Sequence, residues 1–520
     1  MPRFLAINIT ITKTSQLGAL ALKFSKLILA AAAVLGASAS SGTFAIDLYI
    51  DTKTKQIYGE PGSDRQPIGN FERVERSPSN NATPAPEAER TQQPVTGDRS
   101  ARLKEKAERA QLVGKIESIE ERIKESEKQI KLDKNGLQFE TADKNFKFKI
   151  GGRIHTDYTH SSNDSFFSRD GTPIQANDGA ELRRGRLEFA GTFFKDWDFK
   201  SQIDFADNSV GVKDMFISYR GGFAKVNVGH QKQPFSRELQ ESSNDLMFME
   251  RSLMNVLNAP LVDRAIGLNV SKSDKNWTGQ VGLYGESIDA NNNSMDESWG
   301  TSSRVTFAPI NEKTKVVHLG VAGNYRKPSG SGQLFGPSNG VRFRHETSHL
   351  TNLFPIDSGT LGNIEDIKML GLEASGIYGP FSAGGEYTHS WIGRNNGLDS
   401  LSFNGWYGEA AWTLTGESRN YKEGKFHRVE PTRNFSFSNG GWGAWELAVR
   451  VAGVDMNDGA FRRGEMKNFT AALNWYVNNN VRFMFNYDKI LEIKDSPLVT
   501  ASGGKPYDLN TFMFRSQIAF

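Results

Sequence analysis

The stretch Phe146-Lys147-Phe148-Lys149-Ile150-Gly151-Gly152-Arg153-Ile154-His155-Thr156-Asp157-Tyr158 decides how the rest of the chain is read. Its apolar residues, Phe146, Phe148, Ile150, Ile154 and Tyr158, fall on alternate positions, with Lys147, Lys149, Arg153, His155 and Asp157 between them. A period of two with one greasy and one charged face is a β-strand lying between an apolar and an aqueous medium. The same pattern returns at Leu187, Phe189, Gly191 and Phe193 against Arg184, Arg186 and Glu188. It passes the turn Lys195-Asp196 and continues at Trp197, Phe199, Ile203 and Phe205 against Asp198, Lys200 and Asp204, which makes a hairpin.

Alternation recurs at Val305 and Phe307, and over 317–321, 381–387, 445–451, 481–487 and 512–520. Some connections are tight (Lys195-Asp196, Gly221-Gly222, 478–480) and others are long (159–180, 327–363, 388–402). A soluble sandwich has no reason for that asymmetry, whereas an outer-membrane barrel has short turns at one end and long loops at the other. Aromatic residues at strand ends, Phe193, Phe194, Trp197, Trp475 and Tyr476, suit an interfacial girdle, and the last strand runs to Phe520. Residues 136–520, 385 in all, accommodate about sixteen tilted strands of ~10 residues with their connections; eighteen also fit. The expected fold is therefore all-β, a transmembrane antiparallel barrel of about 16 strands (18 allowed), preceded by a short coiled-coil helix.

Residues 1–45 read as an export signal. Lys23 and Lys26 precede an apolar run from Leu27 to Leu35, and A-x-A-like ends stand at Ala39 and Ala45. The run is shorter than the ~20 residues a spanning helix needs. A short strand-like piece (46–60) and a linker rich in Pro, Ser, Asn and Gln (61–100) follow. Residues 101–132 change to Ala, Glu, Lys, Arg and Ile. There Leu112, Ile116, Ile119, Ile123 and Ile130 form a heptad seam, which predicts a coiled coil and hence an oligomer.

Charge and composition exclude several classes. The chain has 63 Lys+Arg and 60 Asp+Glu, and the signal holds four of the cations (Arg3, Lys13, Lys23, Lys26) and no acid, leaving 59 against 60. So balanced a chain has no field for gathering nucleic acid. Without cysteine there is no disulfide framework, thiol chemistry or Cys-based metal site. His345-Glu346-Thr347-Ser348-His349 fits the H-E-x-x-H zinc pattern with Glu373 as a conceivable third ligand, but its flanks carry no helical period. His155 and Asp157 form a candidate acid–base pair with no nucleophile beside them. No cofactor is expected.

Alternation puts Lys147, Lys149, Arg153, Arg184, Arg186, Lys200, Lys225, Arg304, Arg450, Arg482 and Arg515 in the lumen, eleven cations. It also puts Asp157, Glu188, Asp198, Asp204, Glu373, Glu386, Glu446 and Asp488 there, eight acids. The cations of the first two strands would share one wall and offer oxyanions a path of weak successive contacts. Arg183 has the opposite parity to Arg184, which predicts that one of the pair lies at a strand end. The segment Pro234–Arg264 is too long for a turn; it is expected to fold inward, with Arg237, Arg251 and Arg264 as contact points or tethers.

Several runs carry a family resemblance. They include Phe148-Lys149-Ile150-Gly151-Gly152-Arg153, Leu182-Arg183-Arg184, Phe194-Lys195-Asp196-Trp197, His318-Leu319-Gly320-Val321, Gly371-Leu372-Glu373 and Gly379-Pro380-Phe381-Ser382-Ala383. Thr413-Leu414-Thr415-Gly416-Glu417-Ser418-Arg419, Gly443-Ala444-Trp445-Glu446 and Asn474-Trp475-Tyr476-Val477-Asn478 complete them. Over 136–520 the chain resembles the phosphate-selective porin O and P family. The resemblance implies a trimeric sixteen-stranded outer-membrane porin with a ladder of lumen arginines, onto which Arg153, Arg183 and Arg184 map, and constriction lysines that bind phosphate. This chain has Leu239 and Asn244 where those loop lysines are expected.

The sequence thus predicts a homotrimeric outer-membrane barrel of a Gram-negative bacterium with a periplasmic N-terminal segment. It would pass small anions, phosphate and polyphosphate among them, along Lys147, Lys149, Arg153, Arg183, Arg184 and Arg186. The coiled coil would be available for cell-wall contact. A weakly selective general diffusion porin and a barrel enzyme are the alternatives.

Overall fold

The computed structural model describes the backbone of residues 46–51, 57–58 and 65–71, and then residues 104, 106–118, 130–133, 136–162, 165–285, 298–328, 340–500, 503–507 and 509–520. The chain divides into two units, Met1–Arg99 and Ser100–Phe520. In the first, Ile46–Asp51 pairs with both Ile57–Tyr58 and Arg65–Phe71 in an antiparallel sheet. The strand Arg65–Phe71 corrects the reading of 61–100 as linker throughout. The signal lies outside the described residues.

In the second unit, residues 106–118 are helical, with Leu112 and Ile116 exposed. Ile119 and Ile123 lie outside the described residues. Ile130 does not continue the seam, because Ile130–Asp133 is a strand hydrogen-bonded to Gly136–Glu140. The helix expected over 101–132 therefore stops short of 130, and the barrel sheet begins at 130 rather than 136.

Sixteen strands span the barrel: β1 (Phe146–Ser162), β2 (Gly179–Phe193), β3 (Trp197–Asp204), β4 (Gly211–Tyr219), β5 (Lys225–Lys232), β6 (Arg264–Ser273), β7 (Trp277–Tyr284), β8 (Trp299–Asn311), β9 (Lys315–Lys327), β10 (Ile364–Tyr378), β11 (Phe381–Arg394), β12 (Leu401–Thr413), β13 (Ala444–Asp455), β14 (Glu465–Tyr476), β15 (Val481–Lys494) and β16 (Asn510–Ala519). Each is antiparallel to its neighbour, and the ring closes where β16 pairs with β1, from Asn510↔Ser162 to Ala519↔Arg153. Below that point the same edge of β1 is taken by Gly136–Glu140, opposite Lys147–Ile150. The hairpin 130–140 thus fills the step that β16 leaves. Phe520 seals the junction by exchanging backbone hydrogen bonds with Gly152 at 2.8 and 3.0 Å.

Alternation sorts the faces as a barrel in lipid requires. On β8, Trp299, Val305 and Phe307 face outward while Ser302, Arg304 and Thr306 are buried inside. One end has connections of two to five residues, such as 194–196, where Phe194 and Lys195 take the positive φ of a tight hairpin turn. That end carries a girdle of Phe193, Trp197, Phe381, Trp412, Trp445 and Trp475. Tyr476 does not belong to it, since its hydroxyl turns inward to Glu446 (2.8 Å). The region 388–402 is not a long loop, because β11 runs to Arg394 and β12 starts at Leu401. The short-turn end has one exception, the connection 414–443.

Candidate conduction path

The connection between β5 and β6, residues 233–263, enters the lumen and is tied across it. Ser236 caps the one-turn helix α1 (Arg237–Gln240), and the Glu386 carboxylate accepts the N–H groups of Arg237 (2.9 Å) and Glu238 (2.8 Å). A carboxylate at a helix start satisfies donors that have no partner within the helix. Arg237 donates to Tyr407 (2.7 Å) and pairs with Glu409, Glu386 and Glu241. Burial works against its charge, but Tyr407 and the carboxylates of Glu241, Glu409 and Glu386 outweigh burial and hold the guanidinium well above its ordinary range. Arg237 is therefore a buried anchor and not a contact for solutes.

Further along, Arg482 donates to Leu246 O (2.8 Å), Asn474 to Met247 O (2.9 Å), Arg515 to Met249 O (2.7 Å) and Arg450 to Glu250 O (3.2 Å). Leu253, Met254, Leu257 and Leu261, the last two from helix α2 (Asn255–Val262), pack with Phe403, Tyr407 and Ala452 of the wall. Three of the eleven cations counted inside, Arg450, Arg482 and Arg515, are thus consumed in anchoring this loop. Asp157 belongs to the same system, bidentate on Arg515 (2.7 and 2.6 Å), so it does not orient His155, which bonds Asn244 (3.1 Å). Asn244 and Leu239, the positions where loop lysines were expected, respectively tie the loop to the wall and fill its apolar underside.

Because the loop leans on β10–β16, the open space lies against β1–β7. A cavity of about 520 Å³ there is lined by Arg153, Arg183, Arg184, Arg186, Lys200, Lys213, Lys225, Lys232, Arg251, Arg264 and Lys425, against Asp214, Glu241, Asp245, Asp263 and Glu423. Five of these cations face carboxylates. Arg183 and Arg184 face Glu250, Arg186 faces Asp204, Lys200 faces Glu188 and Asp214, and Arg264 faces Asp214 and Asp263. The other six, Arg153, Lys213, Lys225, Lys232, Arg251 and Lys425, have no carboxylate partner among the described residues. Arg153 donates only to Ser242 (3.2 Å) and Ser243 (2.9 Å), and Arg251 to the carbonyls of Glu238 (3.1 Å) and Glu241 (3.4 Å).

Of the expected path, Arg153, Arg183, Arg184, Arg186, Arg251 and Arg264 converge on this cavity. Lys147 and Lys149 do not; they stand beyond it at the short-turn end of β1. Arg183 is not at a strand end. The register between β1 and β2 shifts after His155, which pairs with Arg184 while Thr156 pairs with Leu182. The bulge adds one residue and turns Arg183 inward beside Arg184. A second shift, between Ser201 and Ile203 of β3 against β4, brings Lys213 inward although it shares the parity of the outward Met215 and Ile217.

Toward the long loops, a vestibule of about 370 Å³ shares Arg183, Arg184 and Arg251 with the main cavity and adds Arg342 and Arg344. His345, Glu346 and His349 line it too, without forming a metal site. His345 ends the strand Val341–His345, and His349 bonds Glu181 (2.7 Å) from a turn. Glu373 is bidentate on Arg304 (2.7 and 2.7 Å). Among the described residues no group of three His, Cys, Asp or Glu could hold a metal.

The connection 414–443 enters the lumen from the opposite end and was not foreseen. Arg419 is bidentate on Glu446 (2.9 and 2.9 Å). The strands Tyr421–Lys422 and Lys425–Phe426 form a hairpin whose turn, Glu423 (φ 52) and Gly424 (φ 72), has the positive φ pair that a two-residue loop demands. The Gly424 carbonyl accepts from Arg304 (2.8 Å), Tyr421 bonds His318 (2.9 Å), and Phe426 N–H donates to Glu241 (3.2 Å). Lys425 is thereby held in the cavity; burial, with Arg304 adding repulsion, lowers its pKa. The Glu-Gly pair between Tyr421 and Phe426 was the available sequence signal.

The family model described as phosphate-selective porin O and P matches residues 148–493. Porin O of Pseudomonas aeruginosa is 29% identical over 420 residues, covering 74% of this chain and 91% of that protein. An uncharacterized protein of Caulobacter vibrioides is 29% identical over 398 residues, covering 74% of this chain and 76% of its own. Among solved structures, an anion-selective porin from Comamonas acidovorans aligns at 13% identity over 72% of this chain and 100% of its own, with a TM-score of 0.45. The outer membrane channel DcaP of Acinetobacter baumannii aligns at 9% identity over 74% and 99%, with a TM-score of 0.44.

Proposed function

We propose that this chain, which belongs to the phosphate-selective porin O and P family, passes small oxyanions such as phosphate passively across the outer membrane along the cationic cavity between its inward loop and the β1–β7 wall. It is an outer-membrane porin, a channel rather than an enzyme. The observation that carries the anion reading is the imbalance along that cavity: eleven lining cations meet five lining carboxylates and three more that pair with them (Glu188, Asp204 and Glu250), and six of the cations have no carboxylate partner among the described residues.

An oxyanion entering at Arg342 and Arg344 would meet Arg183, Arg184 and Arg251, then Arg153 and Arg264, then Lys200, Lys225 and Lys425. Each contact is weak because the site is wet, and successive weak contacts allow exit as well as entry. The forks of arginine match the oxygens of phosphate, and a polyphosphate chain would bridge several at once. Screening reaches ~8 Å at physiological salt, so neighbouring cations act together along this path. A homotrimer, as the family resemblance implies, with the helical segment at 106–118 as part of a coiled coil toward the cell wall, completes the reading.

The test is the zero-current potential of the purified protein in a planar bilayer under a KCl gradient, with phosphate titrated in. An anion-signed potential with saturable block by phosphate is expected. A near-zero or cation-signed potential would replace this reading with a general diffusion porin.

A further inference from the structure

We propose that residues 434–442, the second half of the connection 414–443, are a membrane-interface anchor seated in the phospholipid headgroup region of the periplasmic leaflet. The run is Asn434-Phe435-Ser436-Phe437-Ser438-Asn439-Gly440-Gly441-Trp442, with no charged residue. It closes on itself through the Ser436↔Gly441 bridge, with Phe437, 95% exposed, inside the closed turn and Trp442, 71% exposed, just past it. Two large aromatic side chains on so short a projection make an apolar surface that water does not favour.

Its position decides the occupant. The first half of the connection lies in the lumen, but this half folds over the outer face of the barrel. Trp445 and Trp475, a stacked cross-strand pair on the lipid-facing side (5.2 Å between rings), both donate their indole N–H to the Trp442 carbonyl, at 3.2 and 2.9 Å. Phe435 meets the Trp475 ring edge-on at 5.1 Å and Phe437 at 4.7 Å, and Trp475 continues to Phe483 at 5.7 Å. The projection is therefore continuous with the aromatic girdle that already marks where lipid ends on the short-turn side. Phe and Trp mixed with Ser, Asn and Gly suit the headgroup boundary, where one end of each ring is apolar and the other wet. One connection is then held at both ends, by Arg304 and Glu446 in the lumen and by lipid outside.

The chain has no cysteine, so one probe can be placed without background. Phe437→Cys and, keeping the phenylalanine, Asn439→Cys would carry an environment-sensitive fluorophore in phosphatidylethanolamine–phosphatidylglycerol vesicles. Gly222→Cys, in the turn between β4 and β5, is the control, and heat-modifiable electrophoretic mobility verifies folding. Seating predicts blue-shifted emission at both positions, quenched by headgroup-proximal nitroxide lipids at least threefold more than the control and little by iodide. Iodide quenching equal to the control with no lipid quenching would place the projection in water and overturn the proposal. Protection from both quenchers would show a protein cover, such as a second copy of this chain, and would overturn it equally. Neither result touches the anion reading, which is read from the reversal potential.

Discussion

Arg153 offers the cleanest perturbation of the path. Its guanidinium lines the cavity, donates to the hydroxyls of Ser242 (3.2 Å) and Ser243 (2.9 Å), and has no carboxylate partner. Arg153→Ala therefore removes a charge without stranding an acid, and the loop it touches keeps its ties through Arg237, Arg450, Arg482 and Arg515. A unit charge about 4 Å from a passing monoanion in a water-like medium contributes ~1 kcal/mol. At ~1.4 kcal/mol per tenfold, the phosphate concentration that halves the chloride current should rise about fivefold. Arg153→Lys keeps the charge and loses the fork, so it should fall between. The control is Arg462→Ala, an exposed residue 3.7 Å from Asp495 on another loop, which should leave the block unchanged. In ~1 M salt, where screening acts within ~3 Å, the difference between Arg153→Ala and wild type should shrink. A half-block concentration for Arg153→Ala equal to that of Arg462→Ala would refute the assignment of the cavity as the phosphate path.

Arg237→Met leaves Glu241, Glu386 and Glu409 without their common cation. It should cost about 3–5 kcal/mol, seen as a lower temperature for the heat-induced mobility shift and as noisier single-channel current. Gly424→Ala places a Cβ 2.7 Å from Thr306 Oγ1 at a φ of +72, so the hairpin must move off the wall. Its loss of anion selectivity should match that of Lys425→Ala, and the double variant should add nothing, by reversal potential. His349 is held above its ordinary pKa chiefly by its hydrogen bond to Glu181, against burial. The charged pair is then complete below about pH 6.5 and is lost as pH rises through the raised value. Limited proteolysis in the 341–361 hairpin should accordingly increase as pH rises above about 6.5, and His349→Gln should flatten that dependence.

The barrel was legible because lipid outside and water inside impose opposite polarities on alternate residues, and β1 states both within thirteen residues. The faces of Arg304, Arg450, Arg482 and Arg515 were legible for the same reason. Their employment was not, since each partner comes from a distant strand or from a loop: Glu373 for Arg304, Glu238 for Arg450, and loop carbonyls for the last two. Parity names the side of the wall and is silent about what crosses the lumen to meet it. The inward course of 414–443 escaped notice because a long connection at the short-turn end contradicts the asymmetry that identified the barrel.

The failures of parity at Arg183 and Lys213 have one physical cause. Leu187 and Phe189 put odd positions of β2 in lipid, and Met215 and Ile217 do the same on β4, so both cations were due to face hydrocarbon. A cation there costs about 2–4 kcal/mol near the bilayer midplane and less toward its edge. A cation at lipid parity within a strand therefore needs an escape. Lys368 finds it in Asp366, 3.1 Å away on the same strand. Arg183 and Lys213 find it in a bulge, whose extra residue resets the count and carries the charge inward. Both bulges open onto the same cavity, so the register slips concentrate positive charge where the anion path needs it. Lys489 shows that the bulge is not obligatory: at the lipid parity of Phe485 and Leu491, with no acid two positions away, it stays exposed.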